Sequence, residues 1–297
     1  ATERQFVGNS DNIISMDNEE IYGKIINQLS FKKALTQDPP ILCDYKVITN
    51  FVTKKEIEQL IVTNSLTRAN GKNYTFVEDS TTIAALIAHI KLTKERNIKN
   101  TISFHKNIKR AKDFAELYEQ LNAVDSYSRN ISAYHVNGKM GTSDRNTLIE
   151  NFKNSSPSLI SNARCLTEGV DIPVVDAVIF ADPKQSVIDI VQASGRAMRT
   201  HPNKKLGYII IPVIVDNESP DVTNDSFKQL VNIVAALGIS DERIIDEAKL
   251  AVKTGTFNTR EILEFNDFIP EFEVDFDKFV KEIKIKIWDR VSFAQSV

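Results

Sequence analysis

Ala177-Val-Ile-Phe-Ala-Asp-Pro-Lys-Gln-Ser-Val-Ile-Asp-Ile-Val-Gln-Ala-Ser-Gly-Arg-Ala-Met-Arg199 reads as a strand, a turn and a helix in one stretch. Ala177 to Ala181 is apolar on both faces, the pattern of a strand buried inside a parallel sheet. Ser186-Val-Ile-Asp189 resembles a helix-opening capping box, with Asp in place of Glu. Pro202 predicts the stop of that helix. On the helix, Gln192, Gly195, Arg196 and Arg199 fall at i, i+3, i+4 and i+7 and share a face. Apolar residues normally occupy such a stripe. Here it holds an amide, a glycine and two guanidiniums. A mid-helix glycine costs ~1 kcal/mol relative to alanine, so its use is to let something approach the backbone. Two planar, permanently charged guanidiniums beside it suit a polyphosphate.

Outward from this stretch the alternation is regular. Thr101 to Phe104, Ile131 to Val136, Ser158 to Ala163 and Tyr208 to Val215 read as strands. Ile108, Ala111, Ala115, Tyr118 and Leu121 mark one helix face, and Ser143 is the expected N-cap of a helix carrying Leu148 and Phe152. Upstream, Cys43 to Val52 is a strand preceded by Pro39-Pro40, and residues 54–98 carry helical patterns with a polar break at Arg68 to Asn73. The expected fold class is α/β, a parallel sheet flanked by helices. After Asp216 the pattern becomes mainly helical. One helix runs from Phe227 to Leu237 and ends at Gly238, and another opens at Ser240 and ends near Gly255. Residues 256–297 are mixed, with Phe272, Phe276, Phe279 and Trp288 reading as core or interface.

Composition sets bounds on function. The 297 residues are 42% hydrophobic and 26% charged, enough for one large domain or two small ones. No run approaches the ~20 apolar residues of a bilayer span, and the start lacks a signal-peptide pattern. No membrane partner is expected. Cys43 and Cys165 are too few and too far apart for a disulfide framework, so a reducing, cytoplasmic setting is expected. The four histidines show no ligand spacing, and no metal site is expected from this chain. The net charge of −3 means that any nucleic-acid binding must come from a local surface.

Ligands of open parallel sheets sit at the carboxyl ends of the strands. Polar clusters fall there: Phe104-His105-Lys106-Asn107, His135-Val-Asn-Gly138, and the loop Cys165-Leu-Thr-Glu-Gly-Val-Asp-Ile-Pro173. Gly169 in that loop allows a tight turn. Asp171 either hydrogen-bonds a ribose or holds the turn before Pro173, and the two roles are compatible. His105 and His135 read equally as contact residues and as ordinary strand-end histidines. The lysines between 91 and 112 are interleaved with acids and read as a solvated face.

Four elements in this order resemble motifs four, four-a, five and six of superfamily-two helicases, of the DEAD/DEAH type. They are Thr101-Ile-Ser-Phe-His105, His135-Val-Asn-Gly138 with Arg145 and Phe152, Asn162 to Pro173, and Gln192 to Arg199. The resemblance is to the second, C-terminal RecA-like domain, close over residues 100–215 and loose over 1–99. It implies ATP with magnesium, bound in a cleft between two such domains and held mostly by the first. It implies that Arg199 is the arginine finger, with Arg196 beside it on the γ-phosphate side and Gln192 coupling the helix to nucleotide or to the facing domain. Gly169, Asp171 and Gly195 would contact the nucleotide. Phe104, His105, Lys106, His135, Asn137, Gly138 and Thr167 would line a nucleic-acid backbone, without reading its sequence.

The phosphate-binding half is missing from this pattern. No Gly-x-x-x-x-Gly-Lys-Ser/Thr occurs, since Gly71-Lys72-Asn73 lacks the hydroxyl and the glycine-rich approach. No Asp-Glu box falls at a strand end, since Asp241-Glu242-Arg243 sits at a helix start. Ala1-Thr2 resembles the tail of the Ser/Thr-Ala-Thr motif that closes a first RecA-like domain, so the chain is expected to begin where that domain ends. The expected layout is a connection over residues 1–50, a RecA-like domain over 51–215 with a helical segment at 54–98, and a helical extension over 216–297. Ser15 to Gly23, Leu29 to Phe31, Ala34 and Asp44 to Val47 resemble the same region of large bacterial helicases of the restriction-translocase kind, which favours DNA over RNA. The expected function is the C-terminal motor fragment of an ATP-dependent DNA helicase or translocase, inactive as an ATPase alone. Two alternatives stand beside it: the motor portion of a restriction-modification system, and a non-catalytic nucleic-acid-binding or scaffolding module that kept the fold.

Overall fold

The computed structural model describes residues 19–24, 29–68, 71–123, 130–167, 170–184, 186–215, 225–244, 246, 262–266, 285 and 288–289. In chain order the elements are α1 (Glu19–Tyr22), α2 (Phe31–Thr36), β1 (Asp44–Thr53), α3 (Lys54–Thr63), α4 (Phe76–Arg96), β2 (Asn100–Phe104), α5 (Ile108–Asn122), β3 (Ser132–His135), α6 (Thr142–Asn154), β4 (Ser158–Asn162), β5 (Ala177–Phe180), α7 (Val187–Ala197), β6 (Leu206–Val215), α8 (Asp225–Ser240) and β7 (Leu263–Asn266). The strands form one seven-stranded sheet in the order β3-β4-β2-β5-β6-β1-β7, and each neighbouring pair is parallel. This is the RecA-like α/β sheet that the strand pattern and the resemblance imply.

Local chemistry starts the helices. Thr53 and Glu56 form a reciprocal capping box at α3, and the side chains of Thr75, Asn107 and Ser186 cap α4, α5 and α7. Asn97 ends α4 in the left-handed conformation at φ 54°, a position where Asn is tolerated. Successive strand residues face opposite sides of the sheet. Tyr45, Ile102, Phe104, Val178, Phe180 and Ile209 face α6, α7 and α8. Ile48, Leu159, Ile179 and Ile210 face α3, α4 and α5.

Three expectations about helix ends are corrected. Ser143 lies inside the first turn of α6, and Gly141 precedes that helix without a side-chain cap. α8 runs through Gly238 to Ser240 because the burial of its apolar face, Leu230 to Leu237, outweighs the glycine penalty. Asp241, and not Ser240, caps the helical residues that follow, accepting the Arg243 N–H at 3.0 Å. Within the extension expected to be mainly helical, β7 pairs with β1 and covers what would be an exposed sheet edge. The boundary drawn at residue 50 falls within β1, a ten-residue strand paired along its length with β6. Tyr45 donates to buried Asp241 at 2.7 Å, and Arg243 bridges Asp241 and Asp44, so the start of β1 is tied to the residues that follow α8. Trp288 packs against the core, while Phe272, Phe276, Phe279, Gly255 and Ala1-Thr2 lie outside the described residues. Among the described residues, no helix is long and apolar enough to cross a membrane.

His89 joins three elements on the α4 side of the sheet. Its Nδ1 lies 2.6 Å from the Tyr118 hydroxyl of α5, and its Nε2 lies 2.8 Å from the Thr101 hydroxyl of β2. Complete burial lowers its pKa to about 3. The unfolded chain takes up a proton near the ordinary value of ~6.5, and the folded chain refuses it. The contribution of His89 is therefore complete above that value and lost as pH falls toward 3. Burial lowers His105 and His135 as well, in the same sense. His89→Gln should flatten the pH dependence of urea unfolding between pH 6 and 4 by up to ~1.4 kcal/mol per pH unit. An equally steep profile in the variant would refute the assignment.

Candidate functional site

Because the strands run parallel, their carboxyl ends share one edge of the sheet. Four segments meet there: Phe104 to Lys106 after β2, His135 to Gly138 after β3, Asn162 to Thr167 after β4, and Asp182 to Lys184 after β5. The first three are those that the strand pattern selected. Lys106 and Gly138 are exposed, and His135 and Asn137 are half-buried. Asn137 faces His135 Nε2 at 3.2 Å and accepts the Lys139 N–H at 2.9 Å.

Phe104 and His105 correct the expected surface. Phe104 is fully buried and stacked on Phe180 with ring centroids 5.9 Å apart. His105 is buried against Phe114, with Nε2 3.0 Å from the Ser103 hydroxyl. Even period-two alternation turns Phe104 into the core with Ile102, and His105 then folds back over the strand end. These two residues support the edge, and Lys106 presents it. Thr167 is also buried, and its carbonyl accepts from Arg196.

Asp182 is an organiser that sequence patterning missed. It is buried at the end of β5 and accepts the Lys106 N–H at 3.0 Å and Arg110 Nε at 2.9 Å. Burial alone would raise its pKa, but His105, Arg110 and the Lys106 amide together hold it below the ordinary carboxylate value. Arg110 also donates to the hydroxyls of Thr81 and Thr82 at 2.7 Å each, joining α4 to this edge. The signal in the sequence was Asp182 directly after an apolar strand, but its partner Arg110 is far away in the chain.

The connection from β4 to β5 spans residues 163–176 without a named helix and must return from the carboxyl edge to the amino edge. α7 lies beside it. Arg196 is buried and donates Nε and Nη2 to the Thr167 carbonyl at 3.2 and 2.6 Å, and Nη1 to the Val170 carbonyl. It does not project as a second phosphate ligand. A connection without secondary structure leaves carbonyls that need donors, and a guanidinium has five N–H groups to offer. Arg199 is only half-buried and pairs with the exposed carboxylate of Asp171. Gln192 and Gly195 are half-buried on the same helix. A Cβ built on Gly195 would meet nothing within 4 Å, so that face is open. Gly169 lies outside the described residues.

The last turn of α7 is seated from several sides. Cys43 N–H donates to the Met198 carbonyl at 2.7 Å, and Leu42 bridges Arg199 in antiparallel fashion. Lys204 donates to the carbonyls of Val175 at 2.8 Å, Ala197 at 3.2 Å and Pro173 at 3.3 Å, tying the helix end to the connection. Burial lowers the Lys204 pKa. Gly207 at the start of β6 passes so close that a Cβ there would lie 2.2 Å from the Ala197 carbonyl oxygen. The candidate finger thus stands at the amino edge, the candidate track stands at the carboxyl edge, and one connection joins them. Among the described residues, no group of His, Cys, Asp and Glu could hold a metal ion.

The chain is similar to known proteins in sequence and in fold. Residues 81–201 match the helicase conserved C-terminal domain. A protein named as a probable helicase in African swine fever virus (isolate Pig/Kenya/KEN-50/1950) is 29% identical over 168 residues, 55% of this chain and 18% of its own length. An ATP-dependent rRNA helicase of Debaryomyces hansenii is 28% identical over 156 residues, 51% of this chain and 24% of its own. An ATP-dependent Type ISP restriction-modification enzyme bound to DNA superposes with a TM-score of 0.71 at 27% identity, over 97% of this chain and 20% of that one. The chain therefore spans about a fifth of the relatives that it matches.

The two glycines around α7 give opposite expectations. Gly207→Ala must push the Ala197 carbonyl away and should destabilise the chain by about 1–3 kcal/mol. Gly195→Ala meets open space and should stabilise it by up to ~1 kcal/mol. Urea unfolding of both variants checks the pair, and a neutral Gly207→Ala would contradict the close packing of β6 on α7.

Proposed function

We propose that the chain is the second motor domain of an ATP-dependent DNA translocase or helicase, a reading supported by the match of residues 81–201 to the helicase conserved C-terminal domain and by the parallel RecA-like sheet. The observation that carries this reading is α7: one arginine is buried as a clamp and the next is half-exposed beside an open glycine. A degenerate scaffold has no use for a half-exposed cation held at the rim of such a face.

The residues fit a nucleotide that a second domain holds. Arg199 is presented from a helix end fixed by Cys43, Lys204 and Gly207, so little order remains to be gained on binding. Its partner Asp171 is exposed, so the pair exchanges for a phosphate at small loss. Gln192, Gly195, Arg199 and Asp171 would hold the nucleotide from this side, with Gly169 in the same loop. A magnesium nucleotide brings the γ-phosphoryl group and its charge, and Arg199 neutralises charge that develops there. Arg196 acts indirectly by holding the loop that carries Asp171. Lys106, His135, Asn137 and Gly138 offer polar groups to a sugar–phosphate backbone at the other edge. DNA is favoured over RNA by the resemblance of the N-terminal segment and by the DNA-bound restriction enzyme among the similar structures. That same similarity favours the motor portion of a restriction-modification enzyme as the second reading.

The chain alone should show no motor-like ATP hydrolysis, because the phosphate-binding residues belong to the facing domain. In the full-length protein, Arg199→Ala should lower hydrolysis by about 10³–10⁵ while nucleotide binding and the unfolding midpoint stay nearly unchanged. Steady-state hydrolysis beside equilibrium nucleotide binding tests this, and undiminished hydrolysis would remove the finger assignment.

A further inference from the structure

We propose that Lys184 and Arg164 form an additional phosphate subsite for a nucleic-acid strand, continuing the surface that Lys106 begins. The proposal rests on the nucleic-acid reading above. Lys106 follows β2, Arg164 follows β4 and Lys184 follows β5, and β2 lies between the other two strands. Neighbouring strands are ~4.8 Å apart, so three cations stand side by side across roughly 10 Å of the carboxyl edge.

Lys184 is placed for this role by its surroundings. Its Nζ donates to the Ala163 carbonyl at 3.3 Å and stands 5.6 Å from the centroid of the Phe104 ring. The side chain therefore leans from β5 over the end of β2 toward β4. One carbonyl accepts one of three ammonium protons, and the others remain to be donated. An ammonium already held in place loses little freedom when an anion arrives.

Lys184 stands among charges of both signs. Asp182 and Asp189 are the acids that face Lys184, and Arg164 faces it with like charge. Asp182 is committed to Arg110 and the Lys106 amide. Arg164 is exposed and forms no ion pair among the described residues, and the same holds for Lys106. Burial lowers the Lys184 pKa most; Asp189 raises it, Arg164 lowers it and Asp182 raises it. A phosphate bridging Lys184 and Arg164 would relieve this repulsion. Such contacts read no base, which suits a surface that must move along a strand.

Anisotropy of labelled oligothymidylate and oligouridylate across a salt series tests the pair. Each lost phosphate contact should reduce the slope of log K against log salt by about 0.7 on single strands. Lys184→Gln and Arg164→Ala should each show that reduction on both oligonucleotides, and Lys184→Arg should restore it. Arg164 is exposed, so its variant leaves the core intact. Wild-type slopes in both variants would overturn the subsite, as would a loss confined to one oligonucleotide. Lys106→Ala separates the two levels. A reduced slope there, with none at Lys184 and Arg164, removes only the subsite. No binding by the unaltered chain removes the whole nucleic-acid surface and the subsite with it.

Discussion

A parallel strand can rejoin its own sheet only through a connection that travels the length of the sheet. Between β4 and β5 that connection has no named helix, and it passes over the position of β2. Its carbonyls near the buried interior need donors from elsewhere. Arg196 supplies donors at Thr167 and Val170, and Lys204 supplies them at Pro173 and Val175. Both cations also belong to the end of α7, or are bonded to it. The need to satisfy one stretch of backbone therefore fixes the helix that presents Arg199.

The same constraint connects the two edges of the sheet. Residues after Asn162 start at the edge where Lys106, His135 and Asn137 lie, and Asp171 ends beside Arg199. A shift at one end of this connection must be accommodated at the other, because Arg196 grips it in the middle. In the motor proposed above, this connection would link track and nucleotide through hydrogen bonds. The edge itself is held by Asp182, which ties the Lys106 amide, Arg110 and the threonines of α4 together.

Much of this was legible in the chain. Apolar runs such as Ala177 to Phe180 and the cap Ser186 are local signals, and the strand and helix there follow them. Helical periodicity groups Gln192, Gly195 and Arg196, whereas α7 ends at Ala197 and Arg199 lies two residues beyond it, in a bridge with Leu42. Other features were not legible. β7 is a short segment whose only reason to be a strand is the open edge of β1, more than 200 positions earlier. The division of labour between Arg196 and Arg199 depends on which carbonyls lie opposite. The burial of Phe104 and His105 depends on Phe180 and Phe114, residues of other elements.

By itself, the sequence determined the order of most strands and helices, the placing of Gln192, Gly195 and Arg196 on one helix and the match of residues 81–201 to the helicase conserved C-terminal domain. These rest on periodicity, capping and motif order, which act over a few residues at a time. Tertiary structure alone decided that Arg196 is a clamp and Arg199 a half-exposed cation. It also decided that Lys184 leans across Phe104 toward Ala163, and that Gly207 must stay small. Each of these depends on an unsatisfied backbone group, or on a close approach, contributed by a segment far away in the chain. A guanidinium or ammonium is directed by the nearest carbonyl or carboxylate, and only the folded sheet sets which one that is.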